Sequence, residues 1–179
     1  DAFGTFIFYR KDKYNVVESE NFWLTDTPDK VSTYPGADRP RNGVYAVLEN
    51  NDTGAKYGHV NVHLEWKSRS ANKKGAEVTR SFCDKLLEKG YPVFCTGDFN
   101  LEKSNYKGAE IMTEDGRFDN SYDIAEIKTG QSYTHYDYVD WAIDYVFTSS
   151  GNISVKTYKT IGDYEISDHL GVMVTAEFS

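Results

Sequence analysis

Apolar and polar positions along the chain fall into short runs with two periods, and those runs predict the elements. Phe6, Ile7, Phe8 and Tyr9 mark a strand over Ala2 to Arg10, closed by the charged turn Lys11-Asp12-Lys13, and Val16 to Leu24 reads as its partner. Gly43 to Glu49 and Tyr57 to Glu65 read as a hairpin around Asn50-Asn51-Asp52-Thr53-Gly54. In its second arm Val60, Val62 and Leu64 share one face, while His59, Asn61, His63 and Glu65 take the other. From Arg69 to Lys89 the period lengthens: Ala71, Val78, Phe82, Leu86 and Leu87 recur at helical spacings, and Gly90 is the stop before Tyr91-Pro92.

The predicted helix delivers the chain into Pro92-Val93-Phe94-Cys95-Thr96, a short apolar run that ends at Gly97-Asp98-Phe99-Asn100. Weaker signals follow: connecting helices around Asn105 to Met112 and Tyr122 to Ile127, and an apolar strand from Trp141 to Phe147 interrupted by Asp144. Ile166-Ser167-Asp168-His169 opens a closing strand in which Leu170, Val172, Val174, Ala176 and Phe178 alternate with Gly171, Met173, Thr175 and Glu177. Thr25 to Asn42 holds three of the four prolines and Gly36, and reads as a long irregular loop of the kind that rims a site.

Composition narrows the classes. At 179 residues, 39% hydrophobic and 15% aromatic, the chain suits one strand-rich globular domain over residues 1–179, with a core large enough to need no staples. Acidic residues outnumber basic ones 28 to 20, and a net charge of −8 disfavours a broad grip on duplex phosphates. Nucleic acid is therefore a lesser candidate partner than a small or headgroup-like phosphoester. Cys83 and Cys95 have no metal-ligand spacing and read as buried free thiols. No stretch is long and apolar enough to span a membrane. The chain shows no signal peptide and opens at Asp1 directly in strand-like sequence, as a processed or trimmed chain would.

The candidate chemistry sits at predicted strand ends. In an extended segment Asp98 and Asn100 point the same way while Phe99 points into the packing. An acid beside an amide can hold a metal or orient water and grip a phosphoryl oxygen, and the same residues also suit an Asx-rich turn. His63 reads either as a site residue or as part of a solvated strand face. A carboxylate in so apolar a strand as that of Asp144 is costly unless paired. It is placed to fix the tautomer of His169 and raise its basicity, or else to cap a turn beside a surface histidine.

Taken in order, Asn61-Val62-His63-Leu64, Thr96-Gly97-Asp98-Phe99-Asn100, Ile143-Asp144-Tyr145-Val146-Phe147 and Ser167-Asp168-His169-Leu170 resemble the endonuclease/exonuclease/phosphatase superfamily. Weaker matches are Phe8-Tyr9-Arg10, Phe22-Trp23-Leu24 and Tyr133-Thr134-His135. The resemblance implies an α/β (α+β) sandwich of two packed mixed and antiparallel sheets with outer helices, as in DNase I, and hydrolysis of a phosphomono- or phosphodiester dependent on Mg²⁺ or Mn²⁺. By motif, His63 would donate to a phosphoryl oxygen, Asp98 would orient the attacking water or bind metal, and Asn100 would stabilise developing charge. His169 paired with Asp144 would move the proton, and Asp168 would complete the metal site.

Family members begin with strands that carry an Asn and a metal-binding Glu, which Glu18 and Glu20 do not match. The chain thus resembles the C-terminal two-thirds of the fold, with weak metal binding and poor hydrolysis expected in the absence of that Asn and Glu, and an N-terminal edge open to strand-mediated self-association. A nuclease of the same superfamily, and a non-catalytic module that binds a glycan or protein through its Tyr and Trp residues, are the competing readings.

Overall fold

The computed structural model describes residues 4–100, 108–138 and 140–179. Its larger sheet contains β1 (Tyr14–Trp23), β2 (Asn42–Asn50), β3 (Lys56–His63), β4 (Val93–Asp98), β5 (Phe118–Asn120) and β7 (Asp144–Ser149), in the spatial order β1-β2-β3-β4-β7-β5. The smaller sheet has β6 (Ile127–Thr129), β8 (Ile153–Ile161) and β9 (Gly171–Phe178), in the order β6-β8-β9.

Strands β3 and β4 are parallel, so the chain between them must cross over, and the predicted helix does this as α1 (Arg69–Glu88). Ser68 caps it by accepting the Ala71 N–H at 3.3 Å. At its other end Gly90 adopts φ +85°, a conformation that halts a helix cheaply only with glycine. The apolar stripe Ala76, Phe82, Cys83 and Leu86 packs on Val47, Val60, Val62, Val93 and Cys95, and Phe82 stacks on Phe22 with ring centroids 3.9 Å apart. The two cysteines are free and buried.

Strand β4 is covered on both faces, which is why it reads as a continuous apolar run. Val93 and Cys95 face α1, whereas Phe94 joins Ile153, Val155, Tyr158, Val172 and Val174 of the smaller sheet. Phe94 also meets Phe178 edge-on at 6.1 Å. Two short helices, α2 (Gly108–Thr113) and α3 (Ser121–Ile124), serve as connectors. The Asn105 to Lys107 part of the predicted connecting helix lies outside the described residues, and α3 ends three residues before the predicted Ile127. Among the described residues no helix is long and apolar enough to cross a membrane.

One predicted strand fails. Ala2 and Phe3 of the predicted strand lie outside the described residues, and Gly4 to Arg10 forms no strand and does not pair with Val16 to Leu24; among the described residues β1 is an edge strand that pairs with β2 alone. A run of apolar residues supplies surface to bury, but a strand also requires a ladder partner. The segment instead crosses toward the second and third strands, where Thr5 Oγ1 accepts from Asn42 Nδ2 and the Phe6 carbonyl accepts from Asn61 Nδ2.

Candidate active site

The site begins as a row in register across three strands. His63 ends β3 opposite Asp98, which ends β4, and Asp98 in turn lies opposite Asp144, the first residue of β7. Paired residues in neighbouring ladders project to the same side, so the three side chains line up because the three strands stop together. Gly97 makes this possible. At φ +147° its Cα approaches the backbone of Val62 so closely that a Cβ would stand 2.0 Å from the Val62 carbonyl oxygen.

The row continues into the segment that precedes β9. His169 Nδ1–H donates to Asp144 Oδ2 at 2.7 Å, and the ring of His135 stands edge-on to that of His169 with centroids 4.8 Å apart. The Asp144 hydrogen bond raises the His169 pKa, against the opposing effect of partial burial. Asp98 is pushed up to about 7 by burial and by the neighbouring Asp144 carboxylate. Partial burial, with Arg41 and His169 nearby, pushes His63 down to about 4. Its Nε2, 3.4 Å from Asp98 Oδ2, therefore belongs to a neutral imidazole and not to an ion pair.

Asn100 reaches the site by a turn and not by strand alternation. Its φ is +49°, its backbone N–H donates to Asp98 Oδ1 at 2.8 Å, and its Nδ2 donates to the Leu64 carbonyl at 3.0 Å. Phe99 points into the core as expected, fully buried. Asp98, Asp144 and His169 present ligand atoms within 4.8 Å of one another, and a second group at the same spacing joins Asp168 to His135 and His169. The two groups share His169. Repulsion between Asp98 and Asp144 is part of what lifts the Asp98 pKa, and a hard divalent cation fits that pair of oxygen donors.

The family model described as endonuclease/exonuclease/phosphatase family matches residues 2–169. The chain belongs to that family. This endonuclease/exonuclease/phosphatase domain is similar to a mannosyl-6-phosphatase from Bacteroides thetaiotaomicron, with 26% identity and a TM-score of 0.86 over 95% of this chain and 69% of that one. A family protein from Bacteroides vulgatus gives 27% identity and a TM-score of 0.84, covering 96% of this chain and 69% of the other. D. rerio TDP2, solved with a single-strand DNA product, shares the fold at 19% identity and a TM-score of 0.67, covering 94% and 70%. A search of curated proteins gave no match. These likenesses make the family member a phosphoesterase at the level of the superfamily, built on the DNase I-like fold.

Two further residues around this row have little sequence signal. Glu65, expected on the polar strand face, is 2% exposed and accepts from the backbone N–H groups of Asp38, Trp66 and Lys67 and from Arg41 Nε at 3.2 Å. Asn72, in the first turn of α1, is also buried and donates to the carbonyls of Glu65, Phe99 and, at 3.4 Å, Asn100. It ties the loop after His63 to the loop after Asp98. An asparagine in the first turn of a helix gives no hint of this, because the Phe99 and Asn100 acceptors are remote in sequence.

Proposed function

We propose that this domain hydrolyses a small or headgroup-like phosphoester by in-line attack of water, with a divalent cation such as Mg²⁺ or Mn²⁺ as its cofactor. The observation that carries the reading is the Asp144–His169 hydrogen bond placed at the end of the His63–Asp98–Asp144 row. A carboxylate on Nδ1 holds the imidazole so that Nε2 faces the reacting oxygen and raises its affinity for a proton. His169 is thereby suited to move a proton to or from that oxygen.

Asp98, at the centre of the row, orients the attacking water. His63, neutral and at the mouth, donates to a phosphoryl oxygen, and Asn100 supplies an amide donor as charge develops. Asp98, with Asp144 beside it and Asp168 next to the shared His169, would hold the cation, which when bound neutralises charge on the phosphoryl group. The remaining contribution is positioning, which at phosphorus accounts for much of the rate.

A small substrate is supported by the net charge of −8 and by the likeness to a protein named as a mannosyl-6-phosphatase. A nuclease is the second reading, favoured by the likeness in fold to a protein solved with a DNA product. The test is a panel of 4-nitrophenyl phosphate, bis(4-nitrophenyl) phosphate, hexose 6-phosphates and single-stranded DNA, assayed with Mg²⁺ for wild type and His169→Ala. Turnover of a small ester, reduced about 10²- to 10⁴-fold by the substitution, supports the proposal. Preferential cleavage of DNA supports the nuclease, and no hydrolysis of any of these with Mg²⁺, or with Mn²⁺ in its place, overturns the enzyme reading.

A further inference from the structure

The segment Thr134–Tyr136 is welded to the Asp168–Leu170 segment. Tyr136 N–H donates to the Asp168 carbonyl at 3.2 Å, Leu170 N–H donates to the Thr134 carbonyl at 2.7 Å, and His135 and His169 face each other as a bridge pair. The His135 ring is held on both sides, by Tyr136 (4.9 Å, 24°) and Tyr138 (4.8 Å, 34°). By composition the group His135, Asp168 and His169 looks like a second metal cage, with ligand atoms within 4.8 Å of one another.

The tautomer argues otherwise. Asp137 N–H donates to His135 Nδ1 at 3.2 Å, so Nδ1 is an acceptor and the proton of the neutral ring is on Nε2. A protonated Nε2 has no lone pair for a cation. It is a donor, and it stands 3.7 Å from Asp168 Oδ2, beyond hydrogen-bond distance but within a small rotation of a carboxylate side chain that is 62% exposed.

We propose that His135 is a positioning residue: its Nε2–H holds the Asp168 carboxylate beside His169, so that Asp168 can serve as a cation ligand, and His135 itself binds no metal. This rests on the assignment of Asp168 as a metal donor in the proposed function. An unheld surface carboxylate spends much of its time rotated away, and loss of such a supporting partner lowers metal affinity about 10- to 100-fold.

The test uses wild type, His135→Phe, which keeps the stacking but has no donor, and His135→Gln, which restores one. Mn²⁺ binding is measured by electron paramagnetic resonance and calorimetry, and the His135 tautomer by ¹⁵N NMR. Expected are a protonated Nε2 in wild type that persists on adding Mg²⁺, Mn²⁺ affinity about 10-fold or more weaker in His135→Phe, and partial recovery in His135→Gln at unchanged melting temperature. Equal Mn²⁺ affinity in wild type and His135→Phe overturns the proposal, as does a wild type that binds no Mn²⁺ or a deprotonated Nε2 that takes the metal. If His135→Phe fails to fold, His135→Gln and the wild-type tautomer still decide. Weakened Mn²⁺ binding in a protein that hydrolyses nothing would keep the His135 assignment and remove the enzymatic one.

Discussion

The Asp144 carboxylate accepts the Nδ1–H of His169 at 2.7 Å although Asp144 opens β7 of the larger sheet and His169 lies in the segment that leads into β9 of the smaller one. The bond gives a costly carboxylate its partner and gives the imidazole its orientation. Replacing Asp144 with Asn keeps the shape and removes the charge. Turnover of the best ester from the panel should fall about 10²-fold or more, with the circular dichroism spectrum unchanged. A variant with wild-type turnover would remove this pair from proton transfer.

Glu65 carries a buried negative charge satisfied by Arg41 and three backbone N–H groups. Glu65→Ala strips all four donors of their acceptor at once. Urea unfolding should show a loss of about 3 kcal/mol or more. A loss under about 1 kcal/mol would mean that water replaces the carboxylate readily.

Gly97→Ala should be harsher than its size suggests. The added methyl would meet the Val62 backbone, which cannot rotate aside as a side chain would. Together with the unfavourable φ, this should cost about 3 kcal/mol or more, or prevent accumulation of folded protein. A normal melting temperature would show that β3 and β4 can separate at their ends without penalty.

His59 offers a pH test away from the catalytic row. Burial pushes its pKa down to about 4, and its Nε2 lies 2.9 Å from Thr96 Oγ1. The unfolded chain, with an ordinary histidine near 6.5, binds more protons than the folded one between these two values. Stability from this group is therefore full above about pH 6.5 and declines as pH falls toward 4. Urea titrations at pH 7.5 and 5 should differ by about 2 kcal/mol more in wild type than in His59→Gln. Equal differences would show that His59 does not titrate on unfolding.

Much of this was legible in the sequence because it is local. The helical period of Ala71 to Leu87 with Gly90 as its stop, the inward face of Val60, Val62 and Leu64, and the polar residues at strand ends all follow from one-dimensional repeats. The strand β8 has inward residues Ile153, Val155 and Tyr158 with a register shift between Val155 and Thr157, which interrupts the alternation that would predict it.

Pairing partners, registers and distances needed the tertiary structure. Gly4 to Arg10 has the pattern of a strand and no ladder, Glu65 has the pattern of a solvated face and is buried, and Asn100 enters the site through a left-handed turn. Residue type and period determine what a segment can bury and which groups it presents. Only packing brings His63, Asp98, Asp144, His169 and His135 into one line, because each comes from a different segment and hydrogen-bond register between strands depends on both partners at once.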